Sequence, residues 1–146
     1  MKSQVVSIFV IIAVLVAYLF TLNGQENTND EITVEEVRDK LATEEEVILI
    51  DVRTEPEFDG SLGHLPGAIL IPLAELEKRI EELETYREKE LIIYCRSGNR
   101  SGKATKILRD QDYNAANMVG GMLAWNKMKE LSESDSSGVR SETISE

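Results

Sequence analysis

The stretch Leu91-Ile92-Ile93-Tyr94-Cys95-Arg96-Ser97-Gly98-Asn99-Arg100-Ser101 decides how the chain reads. Leu91 to Tyr94 form a short apolar run rich in β-branched and aromatic side chains, bounded by Arg87-Glu88-Lys89-Glu90, which is the pattern of a buried strand. Beyond the stretch, Ala104, Ile107 and Leu108 recur at helical spacing. The residues from Arg96 to Ser101 therefore form a strand-to-helix loop. With Gly98 free to take a positive φ, successive backbone N–H groups can curl inward and make an anion cradle. Cys95, the only cysteine, sits at its mouth. A thiolate there would be stabilised by the inward amides, the positive helix end and the guanidinium groups of Arg96 and Arg100, all of which lower a cysteine pKa. The competing reading is an inert buried thiol. Two arginines and three small polar residues directly after the strand would be a costly setting for such a group, so Cys95 reads as a nucleophile.

Outward from this loop, the 146 residues leave room for one domain with appendages, and 42% hydrophobic composition is compatible with a real core. A formal charge of -11 argues against nucleic acid, which demands a clustered basic face. One cysteine excludes an intramolecular disulfide. Residues 5–22, VVSIFVIIAVLVAYLFTL, carry no charge and as a helix would reach about 27 Å, enough to span a hydrocarbon core. No A-x-A-like cleavage pattern follows, so residues 1–22 are expected to be a transmembrane anchor or uncleaved signal. Lys2 precedes the segment while Glu26, Asp30 and Glu31 follow it, which places the remainder on the extracytoplasmic side by the positive-inside rule. Residues 23–31 read as a polar linker, 32–131 as the folded domain, and 132–146 as an acidic, Ser-rich tail expected to stay unfolded.

Within the domain, Thr33 and Glu36 have capping-box spacing, so a helix is expected over 33–42. Val47-Ile48-Leu49-Ile50 reads as a strand buried on both faces of a parallel sheet, ending in Asp51-Val52-Arg53. Ligands gather beyond the carboxyl ends of such strands, which puts Asp51 and Arg53 on the same rim as Cys95, either as a structural ion pair or as direct participants. Glu55-Pro56-Glu57-Phe58 reads as a short helical turn with proline near its start. His64, the only histidine, lies between Gly63 and Pro66, where it reads as a loop brace more readily than a general base. With no second histidine or cysteine, a transition-metal site is not expected, and no cofactor is implied. Ile69 to Ile71 is another short strand. Pro72 then opens a helix with Leu73, Leu76, Ile80 and Leu83 on its inner face. Ala115 to Val119 forms the last strand, Gly120-Gly121 its turn, and Met122, Trp125 and Met128 the inner face of a final helix.

Taken in order, Asp51-Val52-Arg53, Glu57-Phe58, Gly63-His64-Leu65-Pro66-Gly67-Ala68, Cys95-Arg96-Ser97-Gly98-Asn99-Arg100-Ser101, and Gly120-Gly121 with Trp125 resemble a single-domain rhodanese over about residues 30 to 131. The resemblance implies a doubly wound α/β domain with a central parallel sheet flanked by helices; the one transmembrane helix expected before it, and the acidic tail, lie outside the resemblance. It also implies a sulfurtransferase in which Cys95 cycles through a persulfide held by the loop from Arg96 to Ser101. The donor would be a small sulfane-sulfur anion such as thiosulfate and the acceptor a thiol, cyanide or a protein. Related phosphatases and arsenate reductases carry a C-x5-R loop, whereas here that position is Ser101 and the arginine comes one residue early, so the loop is sized for an added sulfur rather than a phosphate ester. The other alternative is a rhodanese-like binding module without catalysis, which the retained Cys95 opposes.

Overall fold

Leu91, Ile92, Ile93 and Tyr94 are all fully buried, which requires cover on both faces of the sheet that they enter. The computed structural model, which describes residues 30–138, supplies that cover. Its strands are β1 (Glu31–Ile32), β2 (Val47–Asp51), β3 (Ile69–Leu70), β4 (Glu90–Tyr94) and β5 (Ala115–Met118). All pair in parallel, in the order β1-β5-β4-β2-β3, with β4 central. The helices are α1 (Val34–Ala42), α2 (Glu55–Phe58), α3 (Leu76–Arg79) continued by a 3-10 segment (Ile80–Tyr86), α4 (Asn99–Arg109) and α5 (Gly121–Gly138).

Alternation along β4 sorts the two cores. Leu91 and Ile93 face a cluster completed by Leu76, Leu83, Ala104 and Leu108, under α3, the 3-10 segment and α4. Ile92 and Tyr94 face the opposite cluster, completed by Val34, Val37, Met118 and Met122, under α1 and α5. The α/β sheet flanked by helices is therefore as expected. Thr33 caps α1: its hydroxyl accepts from the Glu36 amide (3.2 Å) while Glu36 accepts from the Thr33 amide (2.9 Å).

Three boundaries differ from the sequence reading. Glu31, expected as linker, pairs with Asn117 in β1, a strand too short to show a period. The helix expected from Pro72 begins only at Leu76, because the Ile71 and Leu73 amides still bond to the Asp51 and Val52 carbonyls, and it tightens into a 3-10 segment at Ile80. Helix α5 runs on to Gly138, into the stretch expected to be unfolded. An anchored helix adds one hydrogen bond per residue at little cost, and the Ser132 and Ser134 hydroxyls bond back to the Lys129 and Leu131 carbonyls. The anchor expected in residues 5–22, and with it the predicted sidedness, lies outside the described residues. Among those described, no helix is long and apolar enough to cross a membrane.

The carboxyl end of β2 carries a buried ion pair. Asp51 is fully buried and Arg53 is 1% exposed. Arg53 Nε donates to both Asp51 oxygens at 3.0 Å, and its Nη2 donates to Asp51 Oδ2 (2.6 Å) and to the Gly63 carbonyl (2.7 Å). The Tyr94 hydroxyl accepts from the Leu65 amide at 3.2 Å. Together these pin the loop around Gly63 to the rim of the sheet. Removing one member of a buried pair strands its partner's charge, so Asp51→Ala should lower the unfolding free energy by about 3–5 kcal/mol. The paired change Asp51→Leu/Arg53→Met should recover most of that loss. Urea unfolding of the folded domain checks both, and wild-type stability in Asp51→Ala would refute the brace.

Candidate active site

Cys95 follows β4 directly and is 1% exposed. Gly98 takes φ +95° and caps α4 from the left-handed region, which a side chain would resist, and its amide points back at the cysteine. The Gly98 N–H lies 3.2 Å from Cys95 Sγ. The Ser101 Oγ lies 3.3 Å from Sγ and 3.1 Å from the Gly98 carbonyl oxygen, so its single proton can go to either, and a thiolate would draw it. Burial pushes the thiol up. The Ser101 hydroxyl and the amides of Ser101, Ser97 and Gly98 outweigh that, and the thiol sits below its ordinary value. The cradle inferred from sequence is thus present, and hydrogen bonds rather than arginine charge stabilise the thiolate.

The arginines behave differently from one another. Arg96 is exposed and forms no ion pair among the described residues. Arg100 is held by Glu57 in a two-pronged bridge, Nη1 to Oε2 at 2.7 Å and Nη2 to Oε1 at 2.6 Å. Arg100 is the first cause, and Thr54 a further one, that holds the Glu57 carboxyl well below the usual range, at about 2. Burial opposes both. The same bridge to Glu57 is the largest cause that raises the pKa of Arg100, with a smaller contribution from the charge of a Cys95 thiolate, and burial opposes it. Arg53 belongs to the Asp51 brace beneath the rim, with its Nη1 buried and unpartnered among the described residues. His64 stacks on Phe58, with ring centroids 3.7 Å apart, and its Nδ1 donates to the Phe58 carbonyl at 3.1 Å. That is a loop-bracing geometry. Ser97 and Asn99 are exposed beside the cradle. A cleft of about 380 Å³ opens next to the loop, lined by Arg53, Pro56, Glu57, Leu62 and Arg96 among others.

Two residues that carry the site were absent from the sequence-level set. Glu57 had a legible signal, its capping-box spacing to Thr54, but the partner 43 residues downstream was not readable. Gly121 approaches the loop so closely that an added Cβ would lie 2.3 Å from the Cys95 carbonyl oxygen. This approach lets the Met122 and Leu123 amides bond to the Cys95 and Arg96 carbonyls at 2.9 and 3.0 Å.

Residues 33–128 match the family model of the rhodanese-like domain. The YtwF protein of Bacillus subtilis is 36% identical over 95 residues, covering 65% of this chain and 88% of YtwF. A sulfurtransferase of Allochromatium vinosum is 36% identical over 97 residues, covering 66% of this chain and 87% of that protein. Among solved structures, a rhodanese-like domain protein of Staphylococcus aureus superposes with a TM-score of 0.60 at 32% identity, covering 66% of this chain and 90% of that one.

The geometry sets two outcomes. Because Ser101 donates to the thiolate form, Ser101→Ala should raise the midpoint of the Cys95 alkylation profile against pH and slow alkylation at neutral pH. An unmoved midpoint would show that the hydroxyl bonds only to Gly98. Gly121→Ala should force the loop and α5 apart, lowering both the melting temperature and the persistence of the depressed thiol pKa. Wild-type values of both would show that the close approach is not required.

Proposed function

Because the chain belongs to the rhodanese-like domain family, we propose that it transfers sulfane sulfur from an anionic donor to a thiophilic acceptor through a persulfide on Cys95. In the first half-reaction the Cys95 thiolate attacks the outer sulfur of the donor. A new S–S bond forms, and the bond between that sulfur and the rest of the donor breaks. The electron pair leaves with the donor remnant, which is sulfite when the donor is thiosulfate. In the second half-reaction an acceptor such as cyanide or a thiol attacks the outer sulfur, and Cys95 leaves as thiolate.

The observation that carries this reading is the buried Sγ of Cys95 facing the Gly98 amide and the Ser101 hydroxyl, with further amides of the loop around it. Such donors stabilise the thiolate that attacks, and they would stabilise a persulfide anion in the same place, since both put negative charge on sulfur inside one cradle at the start of α4. The cysteine itself does the bond-making. Arg96, exposed at the mouth, would attract the donor anion.

Intact-mass analysis of the folded domain tests the proposal. After exposure to thiosulfate or to cysteine persulfide, the wild type should gain one sulfur atom that cyanide removes, and Cys95→Ser should gain none while unfolding at the wild-type temperature. No gain with either donor, or an equal gain in Cys95→Ser, would overturn it.

A further inference from the structure

The loop offers two cations to an incoming substrate, and one is already taken. Arg100 has both terminal nitrogens bound to Glu57, at 2.6 and 2.7 Å. Glu57 is fixed from the start of α2 as well, for the Oε2 that accepts from Arg100 Nη1 also accepts from the Thr54 amide (3.1 Å) and hydroxyl (2.9 Å). The bridge is about one third exposed at both ends, 35% and 33%, so it faces the mouth and not the core. Glu57 and Arg96 both line the cleft beside the loop, while Arg53 in the same lining is neutralised by Asp51. A donor entering there meets one free guanidinium, Arg96, and one carboxylate held in place.

We infer that the Glu57–Arg100 bridge selects among sulfur donors, disfavouring small dianions such as thiosulfate and favouring an organic persulfide, R–S–SH. The inference rests on the sulfurtransfer reading of Cys95 given above. Thiosulfate brings two negative charges, and both depart on sulfite as the S–S bond breaks. Stabilising that leaving group calls for positive charge beyond the one exposed guanidinium of Arg96, and Arg100 could add its own only by releasing a two-pronged carboxylate, which no small anion replaces without loss. With an organic persulfide the Cys95 thiolate attacks the terminal sulfur, an Sγ–S bond forms to give the Cys95 persulfide, the donor's S–S bond breaks, and R–S⁻ leaves with the electron pair. That leaving group carries one charge. Pro56 and Leu62 in the cleft wall suit the carbon body of R, which thiosulfate lacks.

The test compares second-order rate constants for Cys95 persulfidation by thiosulfate and by cysteine persulfide, read by intact mass. Glutamine at 57 keeps the capping-box geometry and removes the charge. Glu57→Gln should raise the thiosulfate-to-persulfide rate ratio about tenfold at low ionic strength, and the gain should shrink as salt is added. Thr54→Ala, which strips the cap and leaves the bridge, should leave the ratio where it was. A second readout is independent of sulfur chemistry: Glu57→Gln should raise the rate of Cys95 alkylation by iodoacetate relative to iodoacetamide. An adduct whose donor ratio ignores Glu57, or a ratio that Thr54→Ala shifts equally, overturns the inference and leaves the sulfurtransfer reading standing. Absence of any adduct from either donor in the wild type overturns both.

Discussion

Two hydrogen bonds at the start of α5 set the orientation of the loop that follows Cys95. The carbonyls of Cys95 and Arg96 are drawn away from the sulfur by the Met122 and Leu123 amides. Because the peptide unit is planar and trans, turning a carbonyl outward turns the following N–H to the opposite side, so the bond at Arg96 helps aim the Ser97 amide at Sγ. The Ser97 amide is indeed one of the groups that lower the Cys95 pKa. The seam exists because Gly121 has no Cβ, which would otherwise sit 2.3 Å from the Cys95 oxygen. It also satisfies orphan donors at the helix start, so a single contact closes the end of α5 and opens the cradle.

Around that seam, two ion pairs of the rim are neutralised at different depths, while Arg96 stays exposed without an ion pair among the described residues. Asp51 and Arg53 cancel inside the protein and tie the Gly63 loop down, which leaves His64 free to brace Phe58 instead of reaching the sulfur. Glu57 and Arg100 cancel at the mouth. The negative form of Cys95 is therefore favoured by neutral dipoles at close range, and the net charge of the protein hardly enters. This is why a chain with a formal charge of -11 can lower the pKa of a buried thiol: preorganised N–H and O–H groups in a buried site act more strongly than distant charges, which water and salt screen.

The local patterns along the chain were sufficient for much of this. The apolar runs at Val47–Ile50 and Leu91–Tyr94 determined a parallel sheet covered on both faces, because no alternation with polar residues was present. The strand, the lone Cys95, Gly98 and the helical spacing beyond them determined the strand-to-cradle-to-helix unit, since each step depends only on neighbours in sequence. Thr33 and Glu36 determined the start of α1 for the same reason.

Tertiary structure alone decided which charges are free. Arg96 and Arg100 look alike in the sequence, four residues apart in one loop, yet one is exposed without an ion-pair partner among the described residues and the other is bridged to Glu57, 43 residues away. The strand β1 exists only because β5 lends it an edge. The start of α3 at Leu76 follows from hydrogen bonds that Ile71 and Leu73 make to β2 and the residue after it. Gly121 matters because of the carbonyl it lies against. In each case the deciding partner is remote along the chain, and no local propensity or period records a contact that forms only when the sheet assembles.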